Sequence, residues 1–223
     1  MAGKRSYTVS SQLKPVSFEP LEKNADGPVI GLDEAGRGCL AGPVAVGFAV
    51  FPPELFQKEL PDSLKMVRDS KLLNRSRRES LVEPIQKYSL CSGVIMASAR
   101  SIDGKGINPT IENCMIQALA RVRRQIQPVA TLIDGNYRLT QLKSRNPDLR
   151  VECLVGGDNR VFSIAAASIL AKVFRDKRMD RFDRYFPGYD FSRHAGYGTA
   201  HHRQKIHELG LSPLHRKSYK LKS

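Results

Sequence analysis

Apolar residues along the chain fall into strand-length runs that stop at glycines, prolines or carboxylates. Residues 29–32 and 44–51 are valine-rich runs on either side of "GLDEAGRGCLAGP", and they predict two β-strands joined by a loop long enough for an antiparallel return. Residues 52–73, with Pro52, Pro53 and Pro61, predict a loop holding at most short helical turns. Asn74 is placed to cap a helix through "RSRRESLVEPIQKY", which Pro84 interrupts or bends. "SLCSGVIMASA" predicts a third strand and "SIDGKGINP" a turn, with Asn108 as N-cap and Pro109 at the first position of the next helix. That helix has the clearest periodicity in the chain. Ile111, Met115, Leu119, Val122 and Ile126 make one apolar stripe, while Arg121, Arg123 and Arg124 sit where the helix dipole favours cations; Pro128 ends it. "VATLID" and "LRVECLV" predict a fourth and a fifth strand. "FSIAAASILAKVFRDKRMDRFDRYF" predicts a long helix whose alanine-rich first half can pack closely on a sheet, and two smaller helical or irregular pieces follow Gly188.

Three strands, a helix, two more strands and a long helix imply an α/β fold with a mixed sheet of five strands flanked by helices, rather than a barrel. "GRGCLAG" looks like a phosphate-cradling loop. It lacks Gly-x-Gly-x-x-Gly spacing and leads into a strand, so it is not a dinucleotide fingerprint. A length of 223 residues suits one domain with a small appendage. The expected division is an N-terminal arm at 1–27, a core at 28–186, and a basic C-terminal helical extension at 187–223.

Composition narrows the function. Hydrophobic residues make up 41% and charged residues 26%, the balance of a soluble globule. No apolar run reaches membrane-spanning length, and the start "MAGKRSYTVSSQ" has no apolar signal region, so a cytoplasmic location without membrane association is expected. Cys39, Cys91, Cys114 and Cys153 are widely spaced and read as buried thiols, not as a zinc knuckle. A net charge of +14 favours a polyanionic partner, most simply nucleic acid. Basic residues also gather locally, in "ARVRRQ", in "AKVFRDKRMDRFDR" and in the final stretch. There Arg193, Arg203, Lys205, Arg216, Lys217, Lys220 and Lys222 face the single acid Glu208.

Four carboxylates stand in unusual settings. Asp33 and Glu34 close the first strand, Asp134 closes the fourth, and Asp158 lies between the fifth strand and the long helix. Strand ends far apart in sequence can meet in space, and carboxylates brought together repel unless a cation lies between them. An oxygen-only donor set suits Mg²⁺ or Mn²⁺. The bland alternative makes the Asp-Gly pair a turn and Asp158 a helix cap. Strand alternation places Asp33 and Glu34 on opposite faces, so if both serve one site the backbone must leave the pleat there. All five histidines (His194, His201, His202, His207 and His215) fall in the last thirty residues and read as surface or phosphate-facing groups. Tyr197, between two glycines, is either a core tyrosine or a ring that stacks on a sugar or base.

In order along the chain, "GLDEAGRGCLAGPVAV", "RDSKLL", "IDGN", "SIAAASILAKVFRD", "HAGYGT" and "SPLHRKSY" resemble the motif series of the ribonuclease HII family. The resemblance implies a ribonuclease H-like fold with a small C-terminal helical extension. It implies a monomeric, metal-dependent endonuclease that hydrolyses the RNA strand of RNA–DNA hybrids. The same enzyme would nick duplex DNA 5′ of an embedded ribonucleotide, leaving 5′-phosphate and 3′-hydroxyl ends. Two ions, Mg²⁺ or Mn²⁺, would bracket the scissile phosphate. The family's four acids fall on Asp33, Glu34, Asp134 and Asp158, with Asp33 bridging. Its ribose-reading glycine-arginine-glycine motif falls on Gly36, Arg37 and Gly38, and its sugar-stacking tyrosine on Tyr197. Lys71, Arg193, Arg216 and Lys217 are expected phosphate contacts. Gly156 and Ala195 stand where the family commonly has lysine. Arg37, together with the short segment ahead of the first strand, separates the chain from ribonuclease HIII, which usually has threonine at that position and an extra N-terminal domain. A nucleic-acid-binding module and a nucleotide phosphatase are the competing readings.

Overall fold

The protein is described from a computed structural model covering residues 18–220; residues 1–17 of the expected arm, and Lys222, lie outside the described residues. Strands β1 (Val29–Ala35), β2 (Val44–Val50) and β3 (Cys91–Ala97) run antiparallel in sequence, while β4 (Ala130–Asp134) and β5 (Arg150–Leu154) add in parallel beyond β1. The sheet order is β3-β2-β1-β4-β5, the mixed five-stranded sheet that the sequence implies. Seven α-helices are described: α1 (Arg75–Tyr88), α2 (Ala99–Lys105), α3 (Ile107–Arg123), α4 (Thr140–Arg145), α5 (Phe162–Tyr185), α6 (Phe191–His194) and α7 (Ala200–Leu209). Short 3-10 turns occupy parts of 52–73, as expected, and Gly157–Asn159 forms another. Among the described residues no helix is long and apolar enough to cross a membrane.

Strand alternation sorts β1 into two faces. Ile30 and Leu32 join Val46, Phe48 and the α3 stripe of Ile111, Met115 and Leu119 in one core. Gly31 turns to the opposite face, where α5 lies. A Cβ on Gly31 would come 2.3 Å from the carbonyl carbon of Ser163, and one on Gly47 would come 2.0 Å from the carbonyl oxygen of Ala167. The alanine-rich half of α5 therefore rests directly on the strand backbones. Farther out, Phe51 and Phe162 pack with Leu81 and Ile85 of α1 in a second core.

Local signals explain several helix ends. The Asn74 side chain accepts a hydrogen bond from the Arg77 amide at 2.9 Å and caps α1, which runs through Pro84 without interruption. The expected turn at 101–109 is instead helix α2, capped by Ser98, and Gly106 at φ +82° separates it from α3. Asn108 is consequently inside α3 and caps nothing; its side chain is used elsewhere. Two caps come from remote carboxylates. Glu112 accepts from the Gln141 and Leu142 amides at the start of α4, and Glu22 accepts from Phe162 and Ser163 at the start of α5. Glu22 and the Phe18 ring, 5.4 Å from Phe162, tie the described part of the arm to the core.

The contact between α5 and the sheet leaves no space for a methyl group. Gly47→Ala should therefore destabilise the protein by about 1–3 kcal/mol, the usual cost of overpacking. Gly38→Ala, with nothing within 4 Å of the added carbon, should leave stability unchanged. Urea denaturation of the two variants checks both outcomes.

Candidate active site

The alternation that turns Gly31 toward α5 also turns Asp33 there, and on β4 it places Asp134 on the same face as Ala130 and Leu132. Pairing of β1 with β2 continues without a break through Asp33↔Gly47 and Glu34↔Val46 to Ala35↔Ala45. The pleat is kept, so the two adjacent acids diverge. Asp33, Asp134 and Asp158 converge, with one carboxylate oxygen from each lying within 4.8 Å of the others. Glu34 stands on the other side of the strand end, within hydrogen-bonding reach of the Tyr137 hydroxyl and close to Arg37 and Asp134. Asp158 does not cap α5; it sits in the 3-10 turn ahead of it.

Burial sets the electrostatics of the cluster. Desolvation, followed by the charges of Glu34 and Asp134, holds the Asp33 carboxyl well above the usual carboxylate range, against a hydrogen bond from Ser168. Desolvation and the neighbouring Asp134 and Asp69 push Asp158 up to about 6. Glu34 is raised too, chiefly by burial. Among the described residues the cluster is paired with Lys71, whose Nζ lies 3.5 Å from Asp158 Oδ2 on a mostly exposed side chain. Asp134 Oδ1 accepts from the Gly157 amide at 2.7 Å, which ties the β4 tip to the turn carrying Asp158.

The loop after Glu34 is held from beneath by two buried arginines. Arg175, within the run that reads as a basic patch, is fully buried and donates to the carbonyls of Pro43, Ala41 and Ala195. Arg216 is 2% exposed and donates to the carbonyls of Gly36, Arg37 and Gly42. Its expected role as a phosphate contact is therefore corrected: the guanidinium is spent on shaping the loop. Gly36 at φ +87° is required here, since a Cβ would fall 1.9 Å from Arg175 Nε. Arg37 reaches away from this clamp and donates to the Tyr137 hydroxyl at 2.7 Å and to Asn108 Oδ1 at 2.6 Å. Tyr137 and Asn108 were not foreseen as site residues; the only sequence signal was the position of Tyr137 three residues after Asp134.

Tyr197 is 40% exposed, with Lys172 Nζ and the Arg175 guanidinium 5.3 and 5.7 Å from its ring centroid. Arg193 lines the same groove, with Arg75 and Lys172. Lys217 is exposed, and its amide donates to Asp103. The histidines depart from expectation. His194, His202 and His215 are buried against Tyr189 and Phe191, and His201 pairs with Asp190, so most of them are core groups rather than surface ones. Of the four thiols, all free, Cys39 and Cys114 are buried and Cys91 and Cys153 half-buried.

The family model described as Ribonuclease HII matches residues 30–222. The chain belongs to the ribonuclease HII family. A ribonuclease HII of Dehalococcoides mccartyi is 42% identical over 191 residues, covering 86% of this chain and 84% of that one. A ribonuclease HII of Chloroflexus aurantiacus is 42% identical over 199 residues, covering 89% of both. Among solved structures, the ribonuclease HII of Archaeoglobus fulgidus in its complex with PCNA is 28% identical and superposes with a TM-score of 0.71, over 87% of this chain and 96% of that one. Bst-RNase HIII in complex with Mn²⁺, 23% identical, shares the fold with a TM-score of 0.62, over 85% of this chain and 66% of that one. The ribonuclease H-like architecture is thus established, and with it a metal-dependent endoribonuclease acting on the RNA strand of RNA–DNA hybrids.

The residues present fit a divalent cation. Their donors are all carboxylate oxygens, and Asp158 Oδ2 is buried without a hydrogen-bond partner among the described residues. In the metal-free protein, carboxyls with raised pKa bind protons more tightly when folded. Their stabilising contribution is complete below the unfolded pKa near 4 and is lost as pH rises through about 6. Asp158→Asn removes that titration, so its melting temperature should gain on the parent's between pH 4 and 7 without metal. At pH 8, Mg²⁺ should raise the melting temperature of the parent and have little effect on the variant. Differential scanning calorimetry at several pH values reads both.

Proposed function

We propose that the chain, besides cutting the RNA strand of hybrids, nicks duplex DNA on the 5′ side of a single embedded ribonucleotide and leaves 5′-phosphate and 3′-hydroxyl ends. The observation that carries this reading is the adjacency, on one continuous stretch of backbone, of a buried acidic cluster and an unshielded glycine loop. Asp33 ends the approach of β1 to the cluster, and Gly36–Gly38 follow within five residues. The carbonyls of Gly36 and Arg37 already accept from Arg216, but Gly38 has no atom within 4 Å of where a side chain would start, which leaves room for a ribose 2′-OH to approach its backbone groups. An all-deoxy strand would leave those groups unmatched.

In this reading Asp33, Asp134 and Asp158, together with Glu34, would hold Mg²⁺ or Mn²⁺ ions, two of them in the substrate complex. The Mn²⁺ complex of the HIII-type neighbour supports the choice of ion. Ions at this position supply an activated water and stabilise the departing 3′ oxygen. The protein's own groups do the rest. Arg216 and Arg175 fix the loop against movement, Arg37 with Tyr137 and Asn108 braces its outer side, and Tyr197 offers a ring to the sugar 3′ of the ribonucleotide. Lys71, Arg193 and Lys217 are placed for phosphates. The chain acts as a cytoplasmic monomer, with 28–186 as the catalytic unit and 187–223 as the duplex-binding extension.

Asp33→Asn should reduce cleavage to below about a tenth of the parent rate in saturating Mg²⁺, because one lost formal charge weakens ion binding in a site whose ions stabilise the transition state. Duplex affinity, read by fluorescence anisotropy without metal, should be nearly unchanged. Near-parental cleavage by the folded variant would refute the assignment.

Tyr197→Ala should slow cutting at an isolated ribonucleotide more than cutting of a continuous RNA–DNA hybrid, since only the former presents a deoxyribose to the ring. Single-turnover rates on the two substrates, beside a melting curve, decide this. Equal losses on both would leave Tyr197 as a packing residue.

A further inference from the structure

Three of the five histidines lie in a buried cluster behind Tyr197, and the established activity gives them no role. Their hydrogen bonds can be followed from both ends. The Ser212 amide, which can only donate, lies 2.9 Å from His215 Nδ1, so that nitrogen carries no proton and the ring is protonated at Nε2. His215 Nε2 lies 3.1 Å from His202 Nε2, which must then accept. His202 is left protonated at Nδ1, 2.9 Å from the carbonyl oxygen of Tyr197, which can only accept. Donor-only and acceptor-only ends fix the same direction, so the two tautomers are determined. A second proton on either ring would set N–H against N–H, and the relay exists only with both rings neutral.

The segment it reaches needs such an anchor. Ala195 at φ +48° and Gly196 at φ +79° are successive left-handed residues just before Tyr197, a conformation that persists only where surrounding contacts over-determine it. Arg175 holds the Ala195 carbonyl, and the Leu40 amide holds that of Gly196. The Tyr197 carbonyl is held by the Thr199 amide at 2.8 Å and by His202. His194 stacks on His202 with ring centroids 4.2 Å apart and is itself fixed, Nδ1 accepting from the Gly196 amide and Nε2 donating to the Tyr189 carbonyl.

We infer that His202 and His215 are positioning residues for substrate selection: a one-way hydrogen-bond relay from Ser212 through both imidazoles to the Tyr197 carbonyl sets the height of the Tyr197 ring against the sugar. This rests on the reading of Tyr197 as the ring that meets the deoxyribose at the junction. The relay carries no charge and touches no substrate. Its effect is on which substrate is preferred, not on the chemistry itself.

The first test uses the unmodified full-length protein, labelled with ¹⁵N-histidine, at neutral pH. Imidazole ¹⁵N shifts should show His202 as the Nδ1–H tautomer and His215 as Nε2–H. His202 protonated at Nε2, or at both nitrogens, would overturn the relay whatever the kinetics. The second test compares His202→Leu with His202→Asn, whose amide can still donate toward the Tyr197 carbonyl. The readout is the ratio of single-turnover rates on an embedded-ribonucleotide duplex and on a continuous hybrid. His202→Leu should lower this ratio roughly fivefold, the effect of one lost hydrogen bond, and His202→Asn should restore most of it. An unchanged ratio for a folded His202→Leu, while Tyr197→Ala does lower it, would overturn the positioning role alone. No change with Tyr197→Ala would remove the junction reading and this inference with it.

Discussion

The direct seating of α5 on the backbones of β1 and β2 is the constraint from which the other features follow. Gly31 and Gly47 leave β1 and β2 without a side chain where the helix crosses them, and they receive its Ser163 and Ala167 turns. The approach fixes the depth of Asp33, two residues along the same face, beside Ser168 on the helix. Two turns further along, the same helix delivers Arg175 beneath the loop that follows Glu34. The acidic cluster, the loop after Glu34 and Tyr197 are therefore referred to one rigid rod. A larger residue at either glycine would move all three together.

The acids divide the labour of the sheet's two faces. Asp33 and Asp134 project toward α5, where burial and mutual repulsion keep their neighbourhood eager for positive charge. Glu34 projects toward α3, where Tyr137, Arg37 and Asn108 link it to the loop. A regular strand thus supplies one residue to the three-aspartate cluster and the next to a polar network at its edge, which joins Asp134 to the loop. No departure from the pleat is needed.

Much of this was legible in the sequence because it is written in local periodicity. The α3 stripe, the alanine-rich half of α5, the Asn74 cap and the acids at the ends of β1 and β4 each carry their signal within a few residues. What was not legible arises from contacts between distant positions. Helix α4 begins where Glu112 caps it from 29 residues away, and α5 is capped by Glu22 from 140 residues away. Asn108 has the profile of an N-cap, yet Gly106 ends α2 and starts α3 before it, leaving the amide free for Arg37. Arg175 and Arg216 sit in runs of basic residues whose described members are mostly exposed, and composition cannot distinguish a buried guanidinium from its solvated neighbours. The histidines mislead for the same reason: a basic tail looks like surface until its rings stack.

The two arginines beneath the loop have carbonyl and phenol oxygens as acceptors, and none of these is a carboxylate. Their hydrogen bonds are satisfied while their charge is not neutralised at contact. Mobile ions screen exposed lysines within about 8–10 Å at ordinary ionic strength, but they reach buried charges far less well. The pull of this loop on a polyanion therefore has two components, one that salt erodes and one that it largely spares. As ionic strength rises, the peripheral grip on an RNA–DNA hybrid loosens first, while the field at the loop stays in place, so salt shifts the protein from holding the hybrid anywhere toward holding it at the cleft.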